Sequence, residues 1–258
     1  MKPLTILLAL VIGPSFSWAV AIDTLPYTIT KSGSYTLGKD LAASATITVP
    51  NAITITANDV TLDLEGNTLS GPALDKTGQA TTGISVTGTE NVIIENGTVR
   101  GFGTGIATAA TYGRIDTVEV EGFETQGILA AGNYGSVTGC TVLGNGNAGI
   151  FVEGSMVSVT NNQVQTNNTG ILVENGAIGQ QPACVISNNT VVVSAGTGYG
   201  IELGIGPIGA FVLSNEVLGG DFGVYFQGLG GAIGVYANNT VFGATTSYQG
   251  GTDGGGNK

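Results

Sequence analysis

A Gly-Ile pair recurs along this chain at Gly83-Ile84, Gly105-Ile106, Gly127-Ile128, Gly149-Ile150, Gly170-Ile171 and Gly200-Ile201, with a last variant at Gly223-Val224. The first four pairs stand 22 residues apart and the fifth follows after 21. A fixed period of this size means that one supersecondary unit is repeated, and that each unit buries its apolar face only against its neighbours. Residues one period apart then become neighbours in space.

A second landmark runs beside the first: Val99, Val120, Val142, Val164, Val191, Val217 and Val241. Aligned on both, each unit shows three short stretches that alternate apolar and polar residues, the period-two signal of strands. The first is Gly-Ile-x-Val. The second ends five residues before the landmark, at Ile94, Ile115, Val137, Val159, Ile186 and Tyr236. The third is the landmark Val itself. Between the second and third lies a recurring Asn, at Asn96, Asn161, Asn188 and Asn238, replaced by Thr117 and Gly139 in two units. Asn tolerates tight-turn backbone geometry, and its amide is expected to bond the same residue one coil away. No stretch beyond the N-terminus sustains an apolar period of 3.6 with capping residues. The pattern predicts an all-β fold, a single-stranded parallel β-helix (solenoid) with three short sheets. Eight or so coils at ~4.8 Å give a rod of roughly 40 Å.

The ends depart from the period. Lys2, the short apolar run Leu4 to Ile12 and the small residues Ala19-Val20-Ala21 read as an export signal over 1–21, with cleavage after Ala19 or Ala21. That run is too short to span a bilayer, and no later apolar run is long enough to do so. The chain is expected to be secreted or periplasmic, with no membrane insertion. Residues 22–50 are read as a capping coil with hairpin-like pieces around Ser32-Gly33, 51–245 as the β-helix, and 246–258 as a flexible Gly-rich tail. Either Phe242 to Tyr248 or a partner is expected to cover the last sheet edge.

Acids outnumber bases 18 to 7 and the net charge is -11. Such a surface repels nucleic acid and anionic membranes, and repels polyuronates unless a divalent cation intervenes. Arg100 is expected to pair with Glu121 one coil on, and Arg114 with Asp116 on its own strand. Glu153 and Glu174 hold one coil position in adjacent coils, as do Glu95 and Asp116. Stacked carboxylates repel, and calcium is the cation that would relieve them; no metal ligand set is assigned, and no cofactor is required. Two residues after the Gly come Leu129, Phe151, Leu172 and Tyr225, with Ser85, Ala107 and Glu202 elsewhere in the row. If Ile and Val point inward, this row points outward, and an exposed apolar and aromatic stripe marks a binding groove or a contact with another chain, a second copy included. The alternative is that the longer segments 174–184 and 192–200 cover this stripe; the other large excursion, 71–82 with Asp75 and Lys76, is expected to wall the same groove. Cys140 falls in register with Asn162 and Asn189, and Cys184 with Val157; two coils apart, they are expected to be unpaired.

The Asn and Gly-Ile ladders, together with Val60-Thr61-Leu62-Asp63-Leu64-Glu65-Gly66-Asn67-Thr68-Leu69-Ser70-Gly71, resemble the right-handed parallel β-helix proteins of the pectate-lyase-like superfamily over about 50 to 245. The resemblance implies a right-handed helix. It implies polysaccharide chemistry in some members, and adhesins, phage spikes or periplasmic proteins without catalysis in others. Hydrolases of the superfamily cluster Asp residues near a His, and the related epimerases carry Asp-Pro-His; this chain has no His. Its lyases use acidic calcium ligands with an Arg or Lys base. The function expected is a non-catalytic exported β-helix, with no catalytic residue, that binds a polysaccharide, a cell-surface glycan or another surface through Leu129, Phe151, Leu172, Tyr225, Glu153 and Glu174. The alternative is a polysaccharide lyase or glycoside hydrolase acting with calcium on a polysaccharide that can be acidic.

Overall fold

The computed structural model describes residues 19–44, 50–72, 81–174, 183–194, 196–204, 209–227 and 234–258. The segments 73–80 and 175–182, which hold Asp75, Lys76 and most of one flanking loop, lie outside them, as do residues 1–18 of the expected export signal. Among the described residues every regular element is a strand, and the strands pair in parallel from coil to coil. No described helix is long and apolar enough to cross a membrane.

Each coil contributes one strand to a first sheet of ten strands, from Tyr27–Ile29 to Thr246–Gln249. Eight of these, Asn51–Ile55 through Phe222–Phe226, make the regular coils. The second and third strand positions merge into one sheet of eighteen strands. They merge because Val92–Arg100 and Arg114–Glu121 run through the intervening turn as single strands and pair along its length.

Register follows the two landmarks. Ile84, Ile106, Ile128 and Ile150 are partners in sequence, and their side chains are fully buried, as are those of Val99, Val120, Val142 and Val164. The glycine before each Ile has a steric cause. A Cβ on Gly127 would lie 2.4 Å from Val142 Cγ1 and 2.7 Å from the Gly149 carbonyl oxygen. On Gly149 it would lie 2.4 Å from Val164 Cγ1. The two ladders read from the sequence thus touch each other, and only glycine lets the sheets approach so closely.

The asparagine ladder sits one residue later than the sequence reading placed it. Asn96, Asn161, Asn188 and Asn238 occupy the left-handed turn position, with φ of 59°, 59°, 56° and 57°, shared with Thr117, Gly139 and Ser214. The buried stack is formed by the following residues, Asn162, Asn189, Asn215 and Asn239, continued by Asn257. From Asn189 onward each Oδ1 accepts both the backbone N–H and the Nδ2 of the asparagine one coil back: Asn162 donates twice to Asn189 Oδ1, at 3.0 and 2.9 Å. Each Nδ2 also donates to a backbone carbonyl of the preceding coil, as Asn189 does to Val159 at 2.9 Å. Buried polar backbone at a bend is thereby satisfied.

Both ends are built as coils. Tyr27–Ile29 and Gly33–Thr36 do not form a hairpin; they lie on different sheets and pair onto Asn51–Ile55 and Val60–Asp63. Val20–Ala21 adds a short strand against Tyr35 and Thr36. At the other end, 246–258 is not a loose tail. Thr246–Gln249 pairs onto the first sheet and Thr252–Asp253 onto the second, while Tyr248 stacks on Tyr236 at 5.0 Å and donates to the Asn239 carbonyl. The glycines that suggest flexibility serve packing here: Gly250 and Gly251, at φ 71° and 67°, turn the chain where a Cβ would strike Phe226.

Candidate functional site

The eight regular strands of the first sheet are five residues long; in each the fourth side chain is half-exposed, and so is the first except at Ala148 and Thr169, which are buried. The fourth positions of successive coils stack in register: Leu129 on Phe151, Phe151 on Leu172, Leu172 on Glu202, and Glu202 on Tyr225. All are half-buried. The structure therefore brings Leu129, Phe151 and Leu172 together as one stripe, and separates Tyr225 from it by Glu202.

Tyr225 belongs to a cluster that the sequence reading did not assemble. Tyr199 and Phe222, at the first positions of their strands, stack with ring centroids 5.4 Å apart and planes 8° apart. Tyr225 packs against both, at 5.2 Å from Tyr199 and 4.8 Å from Phe222. Sequence alternation would not have found them: Tyr199 and Phe222 stand just before the Gly of their repeats, three residues from the outward row, where strict period two turns a side chain inward. They are half-exposed because the Gly and the following Ile or Val are both buried, which shifts the phase.

Polar groups edge this platform. Burial raises the pKa of the Glu202 carboxyl above its ordinary value; Glu174 adds to the rise, and Thr169, whose hydroxyl donates to Glu202 Oε2 at 3.4 Å, opposes it. The Tyr199 phenol is also pushed up, by burial first and then by Glu202, Tyr225 and Asp221. Glu174 and Glu153 follow the paired Val173 and Val152 and are exposed. The Glu174 side chain lies over Gly204, with Cγ 2.8 Å from where a Cβ would stand. No Lys or Arg occurs on any of the ten strands of the first sheet.

The second sheet holds the other charged groups. Asp63, Glu95 and Asp116 are in register. Arg114 forms an ion pair with Asp116, and this hydrogen bond, with help from Thr117, holds the Asp116 carboxyl below its usual value. Arg100 is in register with Glu121, yet its Nε donates to Ser70 Oγ at 3.3 Å on the opposite side. Among the described residues no three His, Cys, Asp or Glu side chains come together as a metal-ligand set. Both cysteines are free and buried.

A stacked parallel coil with an aromatic and carboxylate face on one sheet defines a solenoid that presents an outward surface. The chain belongs to the right handed beta helix region family, whose pattern covers residues 51–217. Among curated protein sequences none matches it. Among solved structures it is similar to the Dettilon tailspike protein, with a TM-score of 0.61 and 15% identity over 88% of this chain and 59% of that one. Pectate lyase Pel9A superposes with a TM-score of 0.53 and 14% identity over 86% of this chain and 68% of that one. PfbA, a surface adhesin of Streptococcus pneumoniae, gives 0.53 and 14% over 90% and 60%. The chain thus spans about three fifths of the length of the tailspike and the adhesin. At such identities the likeness is one of fold.

Proposed function

We propose that this is an exported β-helix protein, secreted or periplasmic, that binds a glycan through the outward face of its first sheet without acting on it chemically. The observation that carries the reading is the solvent-facing cluster of Tyr199, Phe222 and Tyr225 beside Leu172 and Glu202. Aromatic rings with polar tips offer an apolar surface to the C–H face of a sugar and hydrogen bonds to its hydroxyls. The fold-level likeness to a tailspike, a pectate lyase and a surface adhesin supports a glycan partner and does not choose between binding and catalysis. Calcium is not required by this reading.

A second reading is favoured by one observation, the neighbouring carboxyls of Glu202 and Glu174, whose environments differ: Glu202 half-buried with its pKa raised, Glu174 exposed. Two carboxyls in unlike settings are what glycoside hydrolysis uses as acid and nucleophile or base. A lyase with an arginine base fits less well, because both arginines, Arg100 and Arg114, are held on the second sheet.

The test is a glycan panel with purified protein, read for binding and for new reducing or unsaturated ends. Binding that falls at least tenfold in Tyr199→Ala and Tyr225→Ala, with no product released, is the expected result; tenfold is about 1.4 kcal/mol. Products formed by the parent and lost in Glu202→Gln would establish the hydrolase.

A further inference from the structure

The face that the proposed function uses also limits the ligand by charge. Around the rings of Tyr199, Phe222 and Tyr225 stand Glu202, Glu174 and Asp221, and Thr169 supplies a hydroxyl. The ten strands carry no cation, and the nearest guanidinium groups are committed elsewhere, Arg114 to Asp116 and Arg100 to Ser70. A carboxylate offers about four acceptor sites. Among the described residues Thr169 is the donor that reaches Glu202, at 3.4 Å. The rest of its capacity faces a surface where sugar hydroxyls would donate. An anionic sugar brings only further acceptors and like charge to that spot. Because Glu202 is half-buried, the repulsion is screened less than at an open surface.

We infer that the ligand of this face is an uncharged polysaccharide, its ring stacked on Tyr199 and Tyr225 and its hydroxyls donating to Glu202, and that uronate chains are excluded. This rests on the reading of the first sheet as a glycan-binding face. It goes further by assigning Glu202 as the group that sets ligand class. The aromatic cluster supplies contact area to any pyranose, while the carboxylates decide which pyranoses are tolerated.

The experiment uses the full chain and a panel of uronate-containing polysaccharides, each beside its carboxyl-reduced counterpart, so that linkage and stereochemistry stay the same and only charge changes. Neutral glucans and galactans complete the panel. Binding is read by affinity electrophoresis in about 0.15 M salt, where charges beyond roughly 8 Å are screened, with and without added calcium. The expected result is binding to one or more neutral chains and at least tenfold weaker binding to the matched uronate. In Glu202→Gln, with a circular dichroism spectrum and melting curve to show it folded, the neutral ligand should weaken severalfold and the gap to its uronate should narrow. Equal or tighter binding of a uronate, alone or with calcium, overturns the inference and leaves the glycan-binding reading standing. An unchanged gap in Glu202→Gln overturns the role assigned to that residue. Failure to bind any member of the panel overturns the reading itself, and the inference with it.

Discussion

The Glu202 carboxyl lies between Leu172 and Tyr225, where lost hydration raises its pKa and Glu174 raises it further. A raised value means that the folded chain holds the proton more tightly than the unfolded one. The stability this group contributes is therefore full below its ordinary value of 4.5 and is lost as pH rises through the higher folded value. Glu202→Gln should melt above the parent near pH 7.5, with the difference vanishing by about pH 4, since amide and protonated acid are then equivalent; melting curves across pH check this. The cysteines behave oppositely as reactive groups. Burial pushes the Cys140 thiol up to about 11 and raises Cys184 as well. Neither should react with a thiol reagent at pH 8 in the native state, and both should react in denaturant. At this scale the sequence shows that the row from Leu129 to Tyr225 points outward, because alternation sets that, but not that Tyr199 and Phe222 do, because the Gly and the Ile or Val after them are both buried. It does not show that the rings of Tyr199, Phe222 and Tyr225 converge, since ring contact depends on rotamers and on the two outward columns lying side by side.

The turn between second and third strands shows what an element adds. Pairs such as Asn161-Asn162 and Asn188-Asn189 hold two jobs that one residue type can fill: the first adopts positive φ and the second stacks inward. Sequence alone cannot assign them, because Asn is favoured both at left-handed turn positions and in buried amide ladders. Cys140 stands where the ladder would continue. Its own N–H donates to Asn162 Oδ1 at 2.9 Å, its thiol approaches the Ile115 carbonyl at 3.8 Å, and the Val118 N–H faces its sulphur. The thiol thus mimics, weakly, both roles of an asparagine amide. Cys140→Asn should raise stability by about 1 kcal/mol, the value of a typical net hydrogen bond. Asn189→Ala removes the partner of Asn162 and of the Val159 carbonyl inside the core, and should cost about 3 kcal/mol. Denaturant midpoints of the two variants, measured beside the parent, decide both. The turn ahead of the second sheet has a different ladder: Asp59, Asn91, Tyr112, Tyr134 and Met156 all have φ between 54° and 58°. There the exposed rings of Tyr112 and Tyr134 stack at 5.3 Å on strained backbone.

Over the whole molecule, one register runs from Tyr27 to Asp253, and it was legible because the same two residues, Gly and Val, meet in each coil from Gly83 to Gly223. The last coil was not legible, because glycine-rich composition reads as a linker when the ring of Phe226 that excludes a Cβ lies a coil away in sequence. The same geometry makes the glycine column the point where the solenoid is least tolerant. A Cβ on Gly149 meets Val164 Cγ1 at 2.4 Å from one side and the Gly170 carbonyl oxygen at 2.8 Å from the next coil. Neither can retreat: Val164 is fully buried, and the carbonyl belongs to the Thr169–Val173 strand, whose own glycine packs in the same way on Val191 and Gly200. Gly149→Ala should therefore cost about 2–3 kcal/mol, the range of an overpacked core. A stack held by nearest-neighbour contacts confines such damage. Amide hydrogen exchange should quicken in strands Gln126–Ala130, Ala148–Val152 and Thr169–Val173 while Asn51–Ile55 and Phe222–Phe226 keep their protection. Uniform loss of protection along the rod would instead mean that the coils unfold as one unit and that the column is not a chain of local contacts.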